Sequence, residues 1–267
     1  MYKLLLVTDS QEALDAYNAI DCWENLGFKK PRVAQDTLQA QDILSRHHVD
    51  GIAVALTGEE RKKLLRFMDT GLPITPLVEA PAEPEKWKRN LGELALLLGR
   101  IRADYSNDNA NEAEMLQMAR HDFFRHLLND HYADEEKIRR QMGLVRSRMD
   151  PDRPCVVLRL STPDEDGYLR SHWKYGPDRL EVAMRNFFGA ELHGMRILIS
   201  ILPDERLYLV ACPMLGCEAP EREEMLSIVR SHAEGVIRHV KDYMGIELDI
   251  AGCQVMPRMI DVGKLLK

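Results

Sequence analysis

Two short runs of almost unbroken apolar residues constrain this chain more than any other feature. Lys3-Leu4-Leu5-Leu6-Val7 and Gly51-Ile52-Ala53-Val54-Ala55-Leu56 do not alternate with polar residues. A strand with one wet face alternates; a strand covered on both faces does not, and that is the habit of parallel sheets. Helical patterns separate these runs. One follows Asp9-Ser10 and extends to Leu26, closed by Gly27, with Asp9 as its expected N-cap and Glu12 three residues on, as a capping box requires. Pro31–Ala34 reads as a second strand. Thr37–His47 is a second helix carrying Leu38, Ile43 and Leu44, and Gly58–Asp69 a third carrying Leu64, Leu65 and Met68. Leu72–Val78 is a fourth strand, irregular or at an edge because of Pro73 and Pro76. Strand and helix in alternation predict right-handed βαβ units and a parallel sheet.

Beyond Pro81 and Pro84 the pattern becomes helical. Trp87, Leu91, Leu94, Leu98, Ile101 and Tyr105 follow one another at intervals of 4, 3, 4, 3 and 4, an a/d seam. The seam has two readings: a helix lying on the parallel sheet in place of its last helix, or the contact of a homodimer. A polar break at 106–111 separates it from two further amphipathic segments, Glu112–Asn129 and Asp134–Arg148. From Pro154 strands return: Cys155–Leu160, a helix over Asp178–Leu192, a hairpin of Met195–Leu202 and Leu207–Cys212, a long helix over Pro220–Met244, and a strand over Gly245–Val255. The order β-α-β-β-α-β is the ferredoxin-like layout. The expected fold is therefore α/β and α+β: a truncated flavodoxin-like domain at 1–82, a helical linker and dimerisation segment at 83–150, and a ferredoxin-like domain at 151–267.

Composition narrows the function. The chain has 267 residues, room for two domains. Its net charge is −7 and it has no Lys/Arg run, so it makes a poor stand-alone partner for nucleic acid, where phosphate neutralisation dominates affinity. No apolar stretch approaches the ~20 residues a membrane span needs, and Met1–Val7 is too short for a leader. Five cysteines, none in a Cys-x-x-Cys pair, read as reduced thiols of a cytoplasmic protein. Asp164-Glu165-Asp166-Gly167 lacks the further ligands of a calcium loop. His121, His126 and His131 stand five apart and spread round a helix. No nucleophile elbow and no glycine-rich phosphate loop is present. Catalytic residues, metal ligands and cofactors are all expected to be absent, and the chain is not expected to be an enzyme.

Trp23-Glu24, followed by Leu26-Gly27-Phe28, within this strand-helix order, resembles the receiver domains of AraC-type response regulators. A receiver holds a divalent cation with two acidic residues after its first strand; here those positions carry Thr8 and Asp9. Its phospho-acceptor aspartate falls on Ala55, and the hydroxyl residue ending strand four falls at Val78. Alanine offers no oxygen, so the resemblance implies a pseudo-receiver that works without phosphorylation. The segment from Asp122 to Val255, with Phe123-Phe124-Arg125-His126-Leu127-Leu128, resembles the degenerate GGDEF-like domain of the same regulators. The hairpin turn that carries two glycines in active cyclases here reads Pro203-Asp204-Glu205, so the resemblance implies an inactive cyclase-like domain. The implied function is the regulatory part of a two-component-type transcriptional regulator. DNA contact is expected only through a C-terminal helix-turn-helix domain absent from this chain, which reaches Lys267 soon after the last strand. The alternative is a sensor of a small-molecule effector, such as a nucleotide, acting through protein partners.

Overall fold

The computed structural model describes residues 1–72, 74–105, 112–129, 132, 134–163, 167–202, 206–218 and 220–266. They form two compact units. The first comprises residues 1–120 and 140–147, the second residues 121–139 and 148–267.

The first unit is built on a four-stranded parallel sheet of order β2-β1-β3-β4, with β1 at Leu4–Thr8, β2 at Arg32–Ala34, β3 at Gly51–Ala55 and β4 at Leu77–Glu79. Every residue of β1 and all but the last of β3 are buried, as the unbroken apolar runs require. Side chains of β1 leave it in alternation. Leu4 and Leu6 join a core with α1 (Gln11–Asn18) and α4 (Pro84–Tyr105), while Leu5 and Val7 join one with α2 (Thr37–Arg46) and α3 (Gly58–Gly71).

Several boundaries differ from expectation. The first helix stops at Asn18 instead of Leu26. A 3-10 turn at Trp23–Leu26 follows, closed by Gly27 at φ +83°, where glycine is the residue without penalty. Leaving the helix lets Tyr17, Ile20 and Trp23 all reach one core. The N-cap is Ser10, whose Oγ accepts from Ala13 N at 3.3 Å, and not Asp9, which is exposed. Strand β4 is shorter than expected, although Pro76 O still accepts from Ile52 N at 3.0 Å.

The span 83–150 is no separate linker. Trp87, Leu91 and Leu94 of α4 are fully buried and Leu98 nearly so, all in the core of the first unit. Gly51 allows this close seating, since a Cβ there would lie 3.1 Å from Leu94 Cδ2. The part of the seam whose side chains are described is thus consumed within the chain and presents no face to a second copy. The side chains of Ile101 and Tyr105 lie outside the described residues. Later helices divide between the units: α5 (Glu112–Leu128) changes unit after Arg120, and α6 (Glu135–Leu144) after Arg139. Within the first unit Arg140 pairs with Glu93 at 3.1 Å; within the second Arg139 pairs with Asp152 at 2.7 Å.

The second unit holds a five-stranded antiparallel sheet of order β6-β7-β8-β5-β9. The strands are β5 (Cys155–Ser161), β6 (Glu191–Leu192), β7 (Met195–Ile201), β8 (Leu207–Pro213) and β9 (Asp249–Met256). One face carries Val156, Leu158, Ile197, Ile199, Leu209 and Ala211. It packs against Leu180, Met184 and Phe188 of α8 (Pro177–Phe188) and the 4-4-3-4 stripe Met225, Val229, Ala233, Val236, Val240 of α9 (Arg222–Met244). Every residue of β7 and β8 is buried, so their other face is covered too. A short helix, α7 (Tyr168–His172), and the two-residue β6 had no signal in the sequence pattern. No described helix is long and apolar enough to cross a membrane.

Candidate functional site

In an open parallel sheet the crevice outside the carboxyl ends of the strands, where strand order reverses, is the natural place for a ligand. Here the reversal lies between β1 and β3, and the residues that end those strands are Thr8 and Ala55. Thr8 is wholly buried. Its hydroxyl donates to the Ala55 carbonyl at 3.1 Å and accepts from Ser10 N at 3.0 Å. Both bonds follow from sequence: Thr8 ends an all-buried strand, so its hydroxyl must find partners locally, and Ser10 is turned in by its capping role. Asp9 is exposed to solvent. Val78 is buried in β4 opposite Ala53 and offers no oxygen.

The last residue of β4, Glu79, is held by two bonds from Arg61 of α3, one of 3.0 Å. Its backbone carbonyl accepts from Asn90 Nδ2 of α4 at 3.0 Å. The carboxylate that ends β4 is therefore paired with the Arg61 guanidinium. Among the described residues, no three His, Cys, Asp or Glu side chains are placed to hold a metal ion. Ala55 itself has no side-chain oxygen that could accept a phosphoryl group.

The second unit's expected turn, Pro203-Asp204-Glu205, lies outside the described residues. The concentration of buried polar groups is elsewhere in that unit, around Glu181 of α8, which is 5% exposed. One carboxylate oxygen, Oε2, accepts from the Ile201 backbone N–H at 3.0 Å and from Ser200 Oγ at 3.4 Å, and meets Arg125 Nη2 at 3.3 Å. The other, Oε1, lies 3.0 Å from His121 Nδ1, out of line for a hydrogen bond. Ile201 ends β7, where that strand is the open edge of the sheet, since β6 pairs only with Met195 and Arg196. Glu181 thus closes an edge N–H that would otherwise be buried without a partner. Burial pushes the Glu181 carboxyl up; the His121 contact, the Ile201 N–H and the Arg125 charge together outweigh it and hold the group below the usual carboxylate value.

This cluster does not have the geometry of a nucleophile. Ser200 Oγ donates to the Glu181 carboxylate at 3.4 Å and not to the imidazole, and it is wholly buried, closed to a substrate. The cluster instead joins α5, α8 and β7 by charge. Its members were missed in the sequence, yet two carry a signal. Glu181 sits in the apolar stripe Leu180, Met184, Phe188, and His121 stands three and seven residues before the buried Phe124 and Leu128. A charged residue inside an apolar stripe marks a buried polar contact. His126, by contrast, is exposed. Arg61, Glu79 and Asn90 gave no comparable sign.

No protein-family model matches this chain, and no curated protein matches it.

Proposed function

We propose that this chain is the regulatory part of a two-component-type transcriptional regulator, with a phosphorylation-independent pseudo-receiver and a catalytically inactive cyclase-like domain. The observation that carries the reading is the Thr8 hydroxyl bonded to the Ala55 carbonyl, at the point of the sheet where a receiver would keep its acidic pocket. The parallel order β2-β1-β3-β4 supports it, being the flavodoxin-like order without a fifth strand, with α4 covering the face that a last helix would cover. For the second unit, the order β7-β8-β5-β9, with α8 and α9 on one face, supports a ferredoxin-like reading, the layout a cyclase-like domain would have.

The reading is tested in two steps. Treated with acetyl phosphate and Mg²⁺, the chain is expected to keep its intact mass; a hydroxylamine-labile phosphoryl adduct on Asp9 or any other acid would overturn the pseudo-receiver. Joined to a DNA-binding head that holds its operator weakly on its own, the chain is expected to change operator occupancy in a reporter strain. Occupancy equal to that of the head alone would remove the regulatory role.

A further inference from the structure

We propose that Cys155 and Cys212 form a cross-strand dithiol that a low-molecular-weight disulfide converts to an intramolecular disulfide. The pairing of β5 with β8 runs Val156 to Ala211, Val157 to Val210 and onward, and both strands remain regular one residue further, since Cys155 pairs with Met256 and Cys212 with Arg196. The next pair in that register is Cys155 and Cys212.

The hydrogen-bond phase of the sheet fixes which kind of pair this is. Ile197 N and Ile201 N donate away from β8, to Ala190 O and to Glu181. Residues of even number in β7 therefore face β8, so Cys212, opposite Arg196, directs its N–H and C=O to β7 and not to β5. Cys155 and Cys212 consequently stand in the non-hydrogen-bonded phase one step past Val156 and Ala211, where a regular antiparallel ladder sets Cα atoms about 4.5 Å apart. That separation lies within the range a disulfide spans. Both side chains leave the sheet on the face opposite the Val156–Leu158 core, and no backbone bond stands between them. Pro154 has no N–H to donate across this end of the ladder.

Both thiols are free and fully buried. Burial, with the Asp261 charge, pushes the Cys155 thiol up to about 12; burial, with the Cys155 sulfur beside it, pushes the Cys212 thiol well above its ordinary value. Cys212 Sγ is engaged with the Asp150 carbonyl at 3.3 Å. The pair is therefore closed to reagents until this part of the sheet opens, while Cys22 is exposed throughout.

In the reaction, one thiol loses its proton and attacks the small disulfide, breaking its S–S bond and expelling one thiolate. The second protein thiolate attacks the mixed disulfide at the protein sulfur and expels the other. Two protein thiols are oxidised, one small disulfide is reduced to two thiols, and the two protons end on the leaving thiolates.

The test is prolonged incubation of the full chain with oxidised glutathione, followed by intact mass and peptide mapping without reduction. The expected result is a glutathione adduct at Cys22 early. A Cys155–Cys212 link, with loss of two hydrogens, forms later and at a rate that rises with added sub-denaturing urea. The variant C22S/C217S/C253S is expected to form the same link. If Cys155 and Cys212 stay reduced after Cys22 has reacted fully, or carry only separate glutathione adducts or links to other cysteines, the proposal fails.

Discussion

Glu181 shows how much a single buried carboxylate can organise. Its Oε2 takes the edge N–H of Ile201, and the His121 imidazole and the Arg125 guanidinium converge on the same group. Removing a partner from a buried, hydrogen-bonded charge leaves the others uncompensated, so Glu181→Ala should destabilise the chain by about 3 kcal/mol in urea unfolding. The pH dependence follows from the direction of the shift. Glu181 titrates in the folded chain below its ordinary value of 4.5. Its contribution is complete above that pH and is lost as pH falls through the lower folded value. The stability gap between the native chain and Glu181→Ala should therefore be constant near neutrality and close in acid; a gap that widens in acid would contradict the arrangement. At the first helix, Ser10→Ala should cost about 1 kcal/mol, since Ser10 supplies the cap. Asp9→Ala should change stability by less than about 0.5 kcal/mol.

At the scale of elements, α4 is the helix whose role turned on packing. The spacing of Trp87, Leu91, Leu94 and Leu98 produces one apolar face whether that face meets a sheet or another copy. Burial in the core with Leu4, Leu6 and Ala53 assigns it to the sheet. Leu94→Ala should cost about 3 kcal/mol, the ordinary loss for truncating a buried leucine. Leu91→Glu with Leu98→Glu should abolish the cooperative near-ultraviolet signal of Trp23 and Trp87, whose rings lie 5.3 Å apart edge to face. An altered sedimentation coefficient with that signal intact would instead restore the pairing role.

At the scale of the whole molecule, the chain crosses between its two units three times, after Arg120, Arg139 and Ser147. Cutting it at a sequence boundary near residue 150 would strip the second unit of residues 121–139, including buried Phe123, Phe124 and Leu127 and the side chains of His121 and Arg125 that meet Glu181. A fragment of residues 151–267 should thus give a poorly dispersed amide NMR spectrum and aggregate, whereas residues 121–267 should give a dispersed one. Equal behaviour of the two fragments would show that α5 adds nothing to that core.

Elements whose patterning is local are written in the chain. The unbroken apolar runs at β1 and β3 specify strands covered on both sides, Gly27 marks a left-handed stop, and Met225 to Val240 writes the buried stripe of α9. Only the tertiary structure decided what each apolar face meets. Periodicity states that a face must be buried but carries no record of its partner, so α4 could be read as seam or as core. For the same reason Glu181 and Cys155 looked ordinary in the chain. The one acquires its meaning from the edge N–H of Ile201, the other from Cys212, which lies 57 positions away in sequence. Ladder register, which brings such residues together, is settled by the packing of whole strands and is written in no single segment.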